Sequence, residues 1–386
     1  MSFSNKSIHI VSFNIPFPAD YGGVIDVFYK IKSFTEIGVK VHLHCFAYGR
    51  EKSAELEKIC ESVTYYERKK FYQAIYSSVP YIVGSRTSGE LLATLAEDDY
   101  PVLFEGLHTC FYLSHPSLKN KKKVVRMHNV EWDYYKKLGT AERNYLIKFY
   151  YNMESLRLKK FEEQLQHADT IFTISQNDYT YLADTYKNTY YIPAFHPNEK
   201  LTAIEGRGNY ILYHGNLSVP ENIQAALYIA KKIAPKVNVP IIIAGKDPSK
   251  LIVDEIKKHK NISLVMNPSD DSLYDLIKNA QINFLVTFQN TGIKLKLLNV
   301  LHRGRFCLVN SPMVEQTGLD TLCIVENDTH KQLELVEELM LKTFTAEDIA
   351  ARKAQLADSF SNHENILKMA RAIWDFLFIS VLANVG

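Results

Sequence analysis

Cysteine is sparse and unpaired in this sequence. Cys45, Cys60, Cys110, Cys307 and Cys323 make an odd, scattered set of five, with no C-x-x-C arrangement. That argues against a disulfide framework or a structural zinc, and fits small buried hydrophobes in a reducing compartment. An excess of one charge sign is also missing. The formal net charge is +2, so no global field exists to hold a nucleic-acid duplex, and any anion site must be local. No run of about 18 consecutive apolar residues occurs. The best candidate, 373–385, is shorter and is interrupted by Asp375, which predicts a terminal helix docked on the body. The opening residues 1–7 are short and polar without a signal-peptide pattern, so a cytoplasmic protein is expected. Neither G-x-x-x-x-G-K-[ST] nor H-E-x-x-H nor G-x-S-x-G is present. The 24 tyrosines lack the basic stripe of a single-strand binder, so no nucleic-acid partner is expected.

What is present is a soluble globular composition, 46% hydrophobic and 23% charged over 386 residues. That length suits two domains of about 150–200 residues each. Strand-length apolar runs alternate with helical periodicity. In the first half they are Ile8–Phe13, Val39–Phe46, Val102–Glu105, Val124–Met127, Thr170–Ile174 and Tyr190–Ile192. Between the first two, Val24, Val27, Phe28, Ile31 and Phe34 have helical spacing, and Gly38 ends the helix. The run Pro193–Asn209, with two prolines and two glycines, reads as a linker. The second half repeats the rhythm with Tyr210–Tyr213, Ile241–Ala244, Ile262–Val265, Ile282–Val286, Phe306–Val309 and Leu322–Val325. Such repetition implies right-handed crossovers and mostly parallel sheets. The expected organisation is α/β: a Rossmann-like domain over 1–193, a linker over 194–209, a second Rossmann-like domain over 210–360 and a helical segment over 361–386. Ligands in such sheets bind just beyond the carboxyl ends of the strands.

Three segments at those ends carry candidate chemistry. Asn290-Thr291-Gly292-Ile293-Lys294-Leu295-Lys296, running on to Asn299 and Gly304, follows a strand and opens a helix. A glycine before a helix lets N–H groups approach an anion, the helix start carries about half a positive charge, and Lys294 and Lys296 add cations. Together they suit a diphosphate. Phe13-Asn14-Ile15-Pro16-Phe17-Pro18-Ala19-Asp20-Tyr21-Gly22-Gly23 follows the first strand. There Gly22 and Gly23 permit positive φ and close backbone approach. It is not G-x-G-x-x-G, so a dinucleotide cofactor is not expected. Arg126-Met127-His128-Asn129-Val130-Glu131 ends another strand, which puts His128 at a cleft mouth and Glu131 at a helix start.

In order and spacing these segments resemble the group 1, family 4-like retaining glycosyltransferases of the GT-B fold, of the kind that builds bacterial polysaccharides. The second-half segment is similar to that family's donor motif, G-x-K-x-L-E-A-x-A-x-G-x-P-V-V. Thr291 and Asn299 stand where the family often has glutamates for the donor sugar and the ribose; Asn299 keeps an amide that can bond a ribose. The first-half segments resemble the family's P-x-x-G-G loop and its H-N-x-E segment. By that resemblance His128 contacts the donor sugar or the reacting centre, with Glu131 beside it. Glu162 to Asp169, then Ser175 and Asp178, agree with a further family run, where helix capping and packing are the expected roles. Tyr213-His214-Gly215-Asn216-Leu217 resembles a G-x-L-x-x-x-x-N loop, with Asn216 in place of the usual basic residue. Lys246, which ends Ile243-Ala244-Gly245-Lys246, is a candidate replacement cation.

The resemblance implies two Rossmann-like domains around a cleft, with a terminal helix crossing back to the first. It also implies transfer of a sugar from a UDP- or GDP-sugar co-substrate to a glycan or lipid-linked hydroxyl, with retention and without another cofactor. No D-x-D pair sits at a strand end, so metal independence is expected. Basic clusters at 119–123, 136–137 and 157–160 would suit loose contact with the inner face of a membrane. Two other readings stay open: a nucleotide-sugar-binding module that has lost turnover, and a GT-B nucleotide-sugar epimerase.

Overall fold

A computed structural model describes residues 3–71, 79–142, 144–288, 295–315 and 317–374. The chain divides into two compact units, Met1–Pro197 with Ser359–Gly386, and Asn198–Asp358.

In the first unit a seven-stranded sheet has the order β3-β2-β1-β4-β5-β6-β7. Its strands are β1 Ser7–Ser12, β2 Lys40–Ala47, β3 Ser62–Glu67, β4 Val102–Glu105, β5 Lys123–Met127, β6 Thr170–Thr173 and β7 Thr189–Tyr191. All of the pairings are parallel. Parallel strands are covered on both faces, which explains why β1, β4, β5 and β6 are buried at every residue. β3 is an edge strand of mixed polarity, and the sequence rhythm passed over it. Helix α1, Gly22–Glu36, joins β1 to β2 and buries Val24, Val27, Ile31 and Phe34. The helix Asn362–Trp374 packs Ile366, Met369, Ala370 and Ile373 into the same core as Ile10, Ile31 and Phe34. Trp374 meets Phe34 edge-on at 6.3 Å. The helix that closes the described chain therefore completes the first unit, as the resemblance implied.

The second unit holds a six-stranded parallel sheet in the order β10-β9-β8-β11-β12-β13. Its strands are β8 Ile211–Asn216, β9 Ile241–Lys246, β10 Ile262–Met266, β11 Ile282–Leu285, β12 Phe306–Val309 and β13 Ile324–Val325. The last is shorter than the sequence suggested, because Asp320–Leu322 forms a 3-10 turn. The helix Asp270–Asn279 is capped by Ser269, whose side chain accepts from the Ser272 amide. The segment read as a linker is not a free connector. Ala194, Phe195 and His196 are buried within the first unit, and Asn198 within the second.

In both sheets the strand order reverses between the first strand and the fourth: β1 lies beside β4, and β8 beside β11. At such a switch point the two following loops diverge and open a crevice beyond the strand ends.

Candidate functional site

At the switch point of the first unit, a group of buried charged side chains gathers on α1, β4 and β5. Asp26 and Lys30 are one helical turn apart on α1, and both side chains are fully buried. The Lys30 ammonium lies 2.8 Å from Asp26 and 2.8 Å from Glu105 at the end of β4. Arg126, near the end of β5, donates to both oxygens of Asp26 at 3.0 and 3.3 Å. It also donates to the carbonyls of Ile192 and Pro193. The Phe195 amide donates to Asp26 at 2.8 Å. Burial alone would push the Asp26 carboxyl up. Arg126 and then Lys30 outweigh it and hold the group well below the usual carboxylate range.

His128, just past β5, has Nε2 2.9 Å from Glu105 Oε2 and 3.9 Å from Asp26. Asp26, Glu105 and His128 lie close enough together to share one cation. Lys30 places an ammonium against both carboxylates, so a protein group already meets their charge. Buried charges persist only when paired in this way.

Around His128 the walls are tightly built. Phe13, just past β1, packs edge-on against His128 at 5.3 Å and also faces His108 at 5.4 Å. Arg86 donates to the Phe13 carbonyl at 2.8 Å and fixes that loop. Gly22 and Gly23 open α1 but are not among the glycines with positive φ. The expected left-handed role is therefore absent at both, and at Gly23 a steric one takes its place. A Cβ on Gly23 would sit 2.9 Å from the Phe13 ring, so only glycine lets that ring lie against the helix start.

Glu131 begins the helix Glu131–Ala141 and is 98% removed from solvent. Burial drives its carboxyl up to about 8, against opposing help from Asn129. Its Oε1 lies 3.8 Å from His108 Nδ1. Burial, then the Arg86 charge, keep His108 far below its ordinary range, hence neutral. Among the described residues, His128 Nδ1, His108 Nδ1 and Glu131 Oε1 are buried without a hydrogen-bond partner. Such atoms are costly, about 1–3 kcal/mol each, unless a ligand or water satisfies them.

The corresponding loops of the second unit bring Asn216, Lys246 and Lys296 together. Asn216 and Lys246 are register partners at the ends of β8 and β9. One residue earlier Gly245 pairs with Gly215, and a Cβ on Gly245 would fall 1.8 Å from the Gly215 carbonyl oxygen. Asn216 Oδ1 accepts from Ser218 N and Oγ at 3.0 and 2.7 Å. Lys296 donates to Asn222 Oδ1 at 2.9 Å, over the Tyr213 ring. Asn222 in turn donates to the Asn216 carbonyl at 3.0 Å. Lys296 thus points toward the Asn216 loop. Burial, then the Lys296 charge, push the neighbouring His214 down to about 3.

Asn299 stands on the same helix, Leu295–Arg303. Its carbonyl oxygen accepts from Asn198 at 2.8 Å, so the amide nitrogen is the group it could offer a ribose. Thr291, Gly292, Ile293 and Lys294 lie outside the described residues. Ser175 caps its helix by accepting from the Asp178 amide, the structural role expected for that pair.

Sequence reasoning missed Asp26, Lys30, Glu105, Arg86 and His108. Asp26 and Lys30 gave no pattern signal, because they fall one helical turn apart but off the stripe of Val24, Val27, Phe28, Ile31 and Phe34, where periodicity expects solvated charge.

No protein-family model matches the chain. A Klebsiella pneumoniae protein described as an uncharacterized 44.6 kDa protein in the cps region is 28% identical over 331 residues, 81% of this chain and 84% of that one. Among solved structures, the chain is similar to TarM with a TM-score of 0.65, at 11% identity over 96% of this chain and 99% of that one. It is similar to WaaG, a glycosyltransferase involved in lipopolysaccharide biosynthesis, with a TM-score of 0.64, at 11% identity over 95% and 100%. Anabaena HepE, solved with UDP and glucose, gives 0.63 at 13% identity over 95% and 98%.

The chain has the GT-B glycosyltransferase fold. Its two Rossmann-like sheets are the halves of that architecture, and the GT-B frame sets the carboxyl ends of β1, β4 and β5 around His128.

Proposed function

We propose that this GT-B chain is a glycosyltransferase that moves a sugar from a nucleoside diphosphate sugar to a hydroxyl of a glycan or a lipid-linked saccharide. The observation that carries the reading is His128, held by a buried carboxylate at the switch point of a GT-B unit, with its second ring nitrogen unpartnered among the described residues. The relative's place in a cps region and the UDP in HepE support the choice of substrate class.

The main barrier to transfer is departure of the diphosphate while positive charge grows at the anomeric carbon. Fixed dipoles and cations lower that barrier most when water is excluded. Lys246, Lys294 and Lys296, with the Gly292-Ile293 segment that precedes the helix Leu295–Arg303, would take the leaving charge without a metal. Thr291 and Asn299 would contact sugar and ribose. His128 and Glu131 would face the reacting sugar, and retention of configuration follows the family resemblance.

Contact with the inner face of a membrane is part of the proposal. On the helix Tyr145–Glu162, Tyr145, Leu146, Phe149 and Leu156 are 69–87% exposed, with Lys148, Lys159 and Lys160 among them. Exposed aromatics beside lysines suit an anionic lipid surface that carries the acceptor.

The test is a thermal-shift panel of UDP- and GDP-sugars followed by transfer assays. Lys294→Ala with Lys296→Ala should weaken nucleotide binding at least tenfold, about 1.4 kcal/mol. His128→Ala should cut transfer far more than nucleotide affinity. Nucleotide binding without transfer or hydrolysis would favour the binding-module reading. A changed sugar without acceptor would favour an epimerase.

A further inference from the structure

We infer that Glu105 is a positioning residue that locks His128 as its Nε2–H tautomer, which leaves Nδ1 as a fixed acceptor for a hydroxyl of the sugar substrate. The hydroxyl rests on the glycosyltransferase reading above; the tautomer does not.

His128 Nε2 lies 2.9 Å from Glu105 Oε2. The same carboxylate takes the Lys30 ammonium at 2.8 Å on Oε1 and 2.9 Å on Oε2. An ion-paired carboxylate only accepts, so a neutral imidazole facing it must donate from Nε2. The other nitrogen then carries the lone pair. His128 Nδ1 is buried and has no hydrogen-bond partner among the described residues.

The carboxylate cannot swing away to relax this. Glu105 is fully buried, and its Lys30 partner is tied to Asp26 at 2.8 Å. Asp26 is gripped in turn by Arg126 and by the Phe195 amide. The ring cannot easily turn either, because Phe13 packs edge-on against it at 5.3 Å. The charged and titratable groups facing His128 are therefore Glu105 on β4, Asp26 on α1 at 3.9 Å and His108 on the turn after β4, with Lys30 behind the carboxylates. Between the two anions and the closed-off Nε2, one site remains for a ligand donor, namely Nδ1. A sugar hydroxyl supplies such a donor, and the geometry is set before the sugar arrives.

The experiment uses the full chain labelled with 15N-histidine. Long-range 1H–15N correlation reads each tautomer, and His128→Gln assigns the His128 signals. The expected wild-type pattern is Nε2–H. Glu105→Gln should lose that pattern and lower the turnover number about a hundredfold, as a displaced catalytic group does. Its affinity for UDP or GDP should stay unchanged, which also reports that it has folded. Addition of whichever of UDP-glucose or GDP-mannose binds by thermal shift should move the Nδ1 resonance.

An Nδ1–H pattern in the wild type would overturn the inference. So would a folded Glu105→Gln with tautomer and turnover unaltered. If that variant fails to fold, the wild-type spectrum still decides the tautomer. A bound sugar nucleotide that leaves the Nδ1 resonance in place removes the hydroxyl from the proposal. Absence of any transfer by the wild type would sink the glycosyltransferase reading while leaving the tautomer to be judged by the spectrum.

Discussion

Glu131→Gln should make the first unit more stable at alkaline pH and flatten its response to pH. Glu131 is buried, and burial holds its carboxyl protonated up to about 8 against an ordinary value of 4.5. In the unfolded chain the same group releases its proton near 4.5. Between those values the unfolded state binds fewer protons than the folded one, so stability falls as pH rises. The raised value means that the contribution is complete below about 4.5 and gone above about 8. A gap of about 3.5 pH units, at about 1.4 kcal/mol each, sets a ceiling of roughly 5 kcal/mol. A glutamine keeps the shape and never ionises.

Urea unfolding followed by tryptophan fluorescence is the assay, because Trp132 and Trp374 are the two tryptophans of the chain and both belong to the first unit. Trp132 is the neighbour of Glu131. Buried histidines such as His44, pushed down to about 3 by burial, impose an opposite slope at acid pH. The quantity to read is therefore the difference between variant and wild type at each pH. The reasoning fails if that difference is the same at pH 5 and pH 8.5. It also fails if the variant is less stable than the wild type at pH 8.5.

Two further outcomes follow from packing. Lys30→Met leaves Glu105 a buried carboxylate without its ammonium and should cost about 3–5 kcal/mol at pH 7; the same fluorescence titration checks it, and a loss below about 1 kcal/mol would show the cluster to be solvated. Gly245→Ala drives a Cβ into the Gly215 carbonyl oxygen between paired strands, where neither backbone can move aside. Far-UV circular dichroism should show the second unit unfolding at markedly lower temperature, and an unchanged melting curve would mean that β8 and β9 do not meet at that register.

The strand–helix rhythm was legible because parallel strands covered on both faces must be apolar throughout, as β1, β4 and β5 are. β3 escaped notice because an edge strand is half exposed and its sequence is mixed. His128 could be found from its place after a strand. Its partners could not, since hydrophobic periodicity assigns Asp26 and Lys30 to solvent, and Glu105 looks like an ordinary last residue of a strand. The cluster exists only once α1 folds across the ends of β4 and β5, a proximity across 75 residues between Lys30 and Glu105. Gly23 shows the converse. Its identity was readable, but its reason was the Phe13 ring rather than backbone freedom.

The route of the polypeptide has a consequence for its synthesis. The first unit begins at the amino end, yet Ile366, Met369 and Ile373 fill its hydrophobic interior. A nascent chain whose amino-terminal sheet has left the ribosome must wait, with α1 uncovered along Phe34, until the whole second unit has been translated. At about 5–20 residues per second that exposure lasts for at least several seconds. The second unit is contiguous in sequence and carries no such delay, so it can finish folding before the unit that was made ahead of it.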